Sequence, residues 1–379
     1  MYEGTEKLKN QKHRSKIGGQ ALFEGVMMRG VTCEAMAVRR KDGSIFTESK
    51  SLPKSKWYQK APFVRGVFNF VIQLKNGYKY MMKSMDVSGF LDEDEPEQST
   101  VDNGQLTVDE QLTVDNGQLT VNEAKEPSKI GDTLIGIVGT VGGVAFGVGL
   151  FLFVPTYAVT GLNMLLGSCG CCGEIGLLEP YRSVIEGAIR IILFVVYMWA
   201  MTLMKEIRTT YKYHGAEHKV IAAFEGGEDL TVDEHSKCPT ECIEAVRKYP
   251  RFHPRCGTSF IFLVLTVSIL LYSILSIPGM PMNVATIAGY FDISEWWANA
   301  IRISIQVSST PFVVAVTYEL IKLAGRYDRN IFMRALSAPG LLLQRLTVLE
   351  PTDEQIQVAV AAMVPVIPKD DKEKQEDKW

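Results

Sequence analysis

Four of the five histidines in this 379-residue chain fall between positions 214 and 253, and that is where its potential chemistry is concentrated. In Tyr213-His214-Gly215-Ala216-Glu217-His218-Lys219 the two histidines stand four residues apart. On a helix both imidazoles share one face and can grip one metal ion, with Glu217 beside them. The order His-x-x-Glu-His is also that of the inverted zinc-protease motif, whose glutamate serves as general base. The same stretch holds Cys238, Cys242 and His253-Pro254-Arg255-Cys256-Gly257. His214, His218, His253 and Cys256 together make a complete set of four tetrahedral zinc ligands, or three ligands and an open position if water displaces one. A closed set is structural and an open one catalytic. Against this stands a plainer reading, in which histidines at helical spacing are only satisfied polar or interfacial residues.

Other candidates are weaker. Cys238 and Cys242 read as extra ligands or as solvent-side thiols. Cys169-Gly170-Cys171-Cys172 fits an outward-facing segment able to form a disulfide, or an incidental apolar loop. Arg255 suits headgroup phosphate oxygens, or simple interfacial anchoring. Glu24 and Arg29, in a glycine-rich stretch, are expected to pair with each other or to approach the His/Cys loop. That stretch carries neither GxGxxG nor GxxxxGK[ST], so no phosphate-binding fingerprint is present.

The elements that must position these residues are largely membrane helices. No charged residue occurs from Thr133 to Gly173 or from Gly257 to Phe291. Four segments approach the roughly 20 apolar residues that a span requires: Thr133 to Thr156, Val184 to Met204, Thr258 to Ile277 and Ala300 to Leu323. Gly136, Gly139, Gly142, Gly143 and Gly147 make the first a packing helix. No span carries an ionisable residue at its middle, which disfavours a transporter. Residues 62–85 read as an amphipathic helix lying on the membrane surface or partly inserted, with Arg65, Lys75, Lys79 and Lys83 on its basic side. Around Lys41-Asp42-Gly43 a hairpin turn between Val38 and Ile45 suggests a short β element.

Orientation follows from basic residues. Lys205, Arg208, Lys212, Lys219, Arg247, Lys248, Arg251 and Arg255 crowd the loop between the second and third spans, and Lys322, Arg326, Arg329 and Arg334 follow the last. The two opposite loops hold only Arg182. Both termini and the His/Cys loop are therefore expected in the cytoplasm. The polar N-terminus shows no cleaved signal. With 40 Lys+Arg against 43 Asp+Glu, no single-sign field points to nucleic acid.

The expected organisation is a cytoplasmic N-terminal segment at 1–61, the interfacial helix at 62–91 and an acidic linker at 92–132 with a repeated TVDNGQLTV. Two spans follow within 133–204, then the cytoplasmic His/Cys loop at 205–257, two more spans within 258–323, a cytoplasmic segment at 324–368 and a charged tail at 369–379.

Several motifs carry a resemblance: Gly18-Gly19-Gln20-Ala21 with Glu24-Gly25-Val26-Met27-Met28-Arg29-Gly30; Pro62-Phe63-Val64-Arg65-Gly66-Val67; the 213–219 segment; His253-Pro254-Arg255-Cys256-Gly257-Thr258-Ser259-Phe260; and Glu350-Pro351 with the helix from Gln355 to Ala362. In these the chain resembles the bacterial YqhQ-like family, membrane proteins with a domain of unknown function that are labelled predicted metal-dependent enzymes. The resemblance covers nearly the whole chain outside residues 92–127 and the tail. It implies a metal or site role for His214, Glu217, His218, His253 and Cys256, marks Gly19, Glu24 and Arg29 as signature residues, and supplies no substrate.

The reading is a mainly α, polytopic membrane protein of the bacterial cell membrane, with about four spans, an interfacial helix and a small cytoplasmic portion. Its expected function is metal-dependent hydrolysis at the cytoplasmic membrane surface, with zinc on His214, His218 and His253 or Cys256, and Glu217 as general base. The alternative is a non-enzymatic scaffold or assembly factor for other membrane proteins, holding a structural metal or none. The lipid bilayer is the expected partner in both cases.

Overall fold

The computed structural model describes residues 15–53, 56–59, 61–90, 139–168 except 140 and 144, and 181–368 except 235, 254–255, 278 and 327–329. The acidic linker, the charged tail, the Cys169–Cys172 run and Arg255 lie outside the described residues.

The N-terminal segment forms more β structure than one hairpin. Strands β1 (Gly18–Leu22), β2 (Gly25–Arg29), β3 (Cys33–Arg39) and β4 (Ile45–Ser51) make an antiparallel meander in chain order. The expected turn between β3 and β4 is present: Gly43 adopts φ 81° and donates to the Arg40 carbonyl, while the Ser44 N–H donates to Asp42. Strand alternation gives the sheet two apolar faces. Val26, Met28, Ala35 and Ala37 point into the main soluble core, and Leu22, Met27, Met36 and Val38 into a smaller one on the other side. A sheet buried on both faces has to be covered twice.

The first cover is α1 (Val64–Val87), whose C-terminal half brings Tyr80 and Val87 onto the smaller core. Its N-terminal end lies against a membrane-type helix: a Cβ at Gly66 would come within 2.9 Å of Tyr318 and 3.1 Å of Ala315, and Arg65 pairs with Glu319. Phe68, Val71, Leu74, Tyr78 and Met82 stay exposed along its length. The helix thus links a long apolar helix to the sheet.

Helices α2 (Val154–Ser168), α3 (Arg182–Met201), α6 (Gly257–Leu275), α7 (Val284–Phe291) and α8 (Glu295–Arg326) carry the apolar segments. Three helical stretches among the described residues are long and apolar enough to cross a membrane: Val141–Asn163, Arg182–Met201 and Glu295–Leu323. The third expected span, Thr258 to Ile277, corresponds to α6, whose apolar stretch, Phe260–Leu275, is shorter. The helices that carry the second and fourth expected spans begin a few residues earlier than Val184 and Ala300, at Arg182 and Glu295. Glu186, Arg190 and Arg302 sit inside these stretches and are buried. The glycines of the first stretch meet no described neighbour, since a Cβ at Gly139, Gly142, Gly143 or Gly147 finds nothing within 4 Å, whereas Thr156 and Val159 further along it are buried.

The second cover of the sheet is built from α4 (Lys205–Gly226) and α10 (Asp353–Met363), joined by α5 (Thr240–Arg247). The α4 helix follows α3 after a break at Thr202–Met204 and ends at Gly227, whose φ of 83° supplies a left-handed cap. Ala216, Ala223, Ala359, Ala361 and Ala362 are fully or almost fully buried where α4 and α10 meet the sheet, and small side chains allow this close approach. Before α10, α9 (Ile331–Thr347) leads to a connector that crosses α4, where the Leu349 N–H donates to the Tyr211 carbonyl at 3.0 Å.

That crossing depends on Gly215, because a Cβ there would lie 1.9 Å from the Leu349 carbonyl oxygen. Gly215→Ala is expected to lower stability by about 3 kcal/mol through overpacking against the backbone, read as a drop in Tm of the detergent-solubilised chain. Gly18→Ala, at a position with nothing within 4 Å, should stay within about 0.5 kcal/mol. Equal Tm values for the two variants would show that the connector does not cross at Gly215.

Candidate metal centre

Helix α4 places His214 and His218 on one face, their ring centroids 4.5 Å apart. Cys256 enters from the residue that precedes α6, with Sγ 3.2 Å from His214 Nε2. The three donor atoms of His214, His218 and Cys256 lie within 4.8 Å of one another. His218 and Cys256 are buried and His214 is half-buried.

Each imidazole is oriented through its other nitrogen. His214 Nδ1 lies 2.9 Å from the Thr347 carbonyl and His218 Nδ1 lies 2.6 Å from the Arg251 carbonyl. A carbonyl can only accept, so both Nδ1 atoms carry the proton and both Nε2 lone pairs are left for the site. This is the arrangement by which proteins hold histidine ligands to metals.

Glu217 lies on the β1 side, outside the group of three donors. Its carboxyl fits against Gly19, where a Cβ would come within 2.8 Å of Cδ, and its Oε2 is buried with no hydrogen-bond partner among the described residues. Burial pushes the Glu217 carboxyl up from the usual range, against the opposing pull of His214 and His218. For His214, burial works downward but is outweighed by the Cys256 thiolate, then by Glu217 and the Thr347 carbonyl, so its pKa rises to about 9. For Cys256 burial works upward, and the two imidazoles overcome it and hold the thiol well below its ordinary value. These shifts favour an imidazolium facing a thiolate in the metal-free centre, and the thiolate is the form in which cysteine ligates metals.

His253 stands beside this cluster, not among its donors. Its ring centroid is 5.8 Å from that of His218, and its Nε2 is 3.8 Å from Oε2 of the fully buried Glu225. Glu225 Oε1 accepts the Ser15 N–H at 2.8 Å and the Ser15 hydroxyl at 3.1 Å. Cys238 and Cys242 are bonded to each other as a disulfide. Glu24 and Arg29 do not meet: Glu24 accepts the Tyr213 hydroxyl at 3.0 Å, and Arg29 lies 4.0 Å from Glu34.

Sequence reasoning missed Glu225, Gln344 and the role of Glu350. Glu225 follows His218 by seven residues and so shares its helical face, a signal that spacing alone carries. Glu350 pairs with Lys219 at 2.7 Å and Arg251 at 3.0 Å, fastening the connector over α4. Gln344, fully buried, clamps the main chain of His253 from both sides: Oε1 accepts the N–H at 3.0 Å and Nε2 donates to the carbonyl at 2.8 Å.

The residues fit a metal. Two imidazole nitrogens and one thiolate suit a borderline-soft ion such as zinc, and three protein ligands leave a fourth position; Glu217, whose Oε2 is orphaned among the described residues, is not one of the donors grouped within 4.8 Å.

The model of the family described as "Protein of unknown function (DUF1385)" matches residues 61–369 of the chain. The uncharacterized protein YqhQ of Bacillus subtilis (strain 168) is 28% identical over 348 residues, covering 90% of this chain and 89% of the relative. No solved structure matches the chain.

The Gln344 clamp fixes the segment that delivers Cys256. Gln344→Leu, close in volume, should cost roughly 2–4 kcal/mol because it leaves the His253 N–H and carbonyl buried without partners. Thermal unfolding of the solubilised chain measures this, and an unchanged Tm would show that the clamp does not hold the loop.

Proposed function

This chain belongs to the DUF1385 family, and we propose that it is a multi-pass protein of the bacterial cell membrane whose His214–His218–Cys256 centre binds zinc at the cytoplasmic surface and serves a hydrolytic reaction. The observation that carries the reading is the three-donor cluster beside Glu217, a buried carboxylate with an oxygen unsatisfied among the described residues. A bound zinc ion would supply Lewis acidity to polarise a carbonyl or phosphoryl group. Glu217, its pKa raised by burial, is the group that takes a proton from the attacking water and returns it to the leaving group. His253 and Glu225 lie one ring away and hold the wall of the centre in place. Membrane placement is supported by three stretches of spanning length and by the basic residues that flank the centre's side of them.

The enclosure of the centre favours a second reading. With His218, Glu217 and Cys256 all buried, the metal would be structural, Glu217 its fourth ligand, and the protein a scaffold or assembly factor for other membrane proteins.

Metal analysis by mass spectrometry on the detergent-purified chain is expected to find about one zinc per chain, and none after His214→Ala with His218→Ala. Absence of stoichiometric metal even after incubation with zinc removes both metal readings. Glu217→Gln then separates them. A proton-transfer role leaves zinc affinity within about tenfold of the native value, whereas loss of a ligand weakens it on the order of 100-fold.

Because the metal-free centre keeps a proton on His214 up to about pH 9 while Cys256 is already a thiolate, zinc binding must expel that proton. Apparent affinity should rise about tenfold per pH unit as pH climbs toward 9 and level off above it, with roughly one proton released at neutral pH. A pH-independent affinity between 6 and 8, followed by competition with a chromophoric chelator, would contradict this assignment of the proton.

A further inference from the structure

At the end of the bundle away from the metal centre, charged residues are enclosed between α2, α3 and α8. Glu186 is 1% exposed and is touched by three guanidiniums: Arg302 at 2.7 Å, Arg182 at 3.1 Å and Arg190 at 3.7 Å. Arg190 and Arg302 are 5% and 1% exposed. Glu186 and Arg190 lie about 6 and 12 Å along α3 from Arg182, at 1.5 Å per residue, so the group reaches well into a stretch of spanning character.

The hydrogen bonds of this group are mostly made by neutral oxygens. Arg190 donates to the Phe151 carbonyl at 3.1 Å and to Gln306 Oε1 at 3.3 Å, and Arg302 donates to Thr156 Oγ1 at 3.3 Å. Such partners satisfy N–H groups without offsetting charge. Setting Arg182 aside, Arg190 and Arg302 still share a single carboxylate, so at least one positive charge lacks a counter-charge among the described residues. Arginine cannot shed its proton to escape this cost. In addition Arg302 Nε is buried and has no hydrogen-bond partner among the described residues. An uncompensated cation within a membrane is expensive and marks a site by default.

We infer that Arg190 and Arg302 form a binding site for an oxyanion of the phosphate class, with Arg302 Nε as a donor reserved for it. Two guanidiniums that meet at the single carboxylate of Glu186, one of them with an unpartnered Nε, carry planar, charge-assisted donors of the kind that match phosphate geometry. The phosphate is either the free ion or the headgroup of an anionic phospholipid, since both offer the same oxygens. The site is independent of the metal centre and of the hydrolytic reading.

The test is thermal unfolding of the full chain. In a neutral detergent, sodium phosphate is titrated against sodium chloride at matched ionic strength, and in parallel the chain is placed in nanodiscs of phosphatidylcholine with and without phosphatidylglycerol. A saturable rise in Tm with phosphate but not chloride identifies the free ion. A rise only with phosphatidylglycerol identifies the headgroup. Either response must vanish in Arg302→Gln; if that variant does not fold, Arg302→Lys should require a several-fold higher concentration of the responding ligand. No response in either arm, an equal response to chloride, or a response unchanged in the arginine variant overturns the site and leaves a self-contained ion-pair network.

Discussion

The arrangement of the soluble part follows from one constraint, the enclosure of α4. From Gly215 to Ala223 every residue of this helix is buried, and the run includes Glu217, His218 and Lys219. A polar side chain so enclosed must find an internal partner or carry its full desolvation penalty. Tyr213 finds Glu24 in the first turn of the sheet, His214 the end of α9, His218 the Arg251 carbonyl, and Lys219 both the Arg247 carbonyl and Glu350. These partners belong to three separate stretches of chain. Satisfying one helix therefore fixes where the sheet, the segment before α6 and the connector before α10 must lie. Glu217 is the exception, with one oxygen left over, and it sits beside the donor cluster.

Much of this is legible in the amino-acid sequence. The spacing of His214 and His218, and the return of the chain at Cys256 next to another apolar segment, correctly place those three residues together. His253 is harder, because proximity in sequence to Cys256 says nothing of which way a ring turns. Its direction is decided by Glu225, a carboxylate on the same α4 face, and by the Gln344 clamp on the His253 backbone. The partners that orient His214 and His218 are main-chain carbonyls, which every residue carries, so no sequence pattern can announce them. The sheet is half visible: Asp42-Gly43 declares its turn by residue type, whereas the turn between β1 and β2 places Glu24 at φ 45°, where composition gives no cue.

The membrane-type helices show the opposite failing of sequence reasoning. Apolar composition starts the second and fourth expected spans at Val184 and Ala300, a few residues inside α3 and α8, and so leaves Glu186, Arg190 and Arg302 close to their beginnings. Inside the bundle these residues compensate one another in part, so a helix can carry them and still bury them. Hydropathy treats each residue alone and cannot register that an arginine on one helix faces a glutamate on another. The same blindness makes the glycines of the first stretch look like a packing surface, although no described neighbour approaches them.

The metal centre also ties the two parts of the molecule together, whatever its chemistry. His214 belongs to the helix that follows the apolar helix α3, and Cys256 is the residue before the apolar helix α6, 42 positions further along the chain. An ion bound by both would close that loop, and the chain-entropy relation used for covalent cross-links gives about 4 kcal/mol for such a length. A catalytic centre built here is thus structural as well, and loss of stability on metal removal does not separate the two roles. What separates them is the carboxylate. A closed four-ligand centre commits a Glu217 oxygen to the ion, whereas a catalytic one keeps that oxygen for a proton. Gly19 permits the carboxyl to approach without a Cβ in its way, and its pKa is raised toward the range where a proton can be both taken and returned. Those two features serve proton transfer more directly than ligation, since a ligand must be deprotonated and gains nothing from an environment that favours the acid.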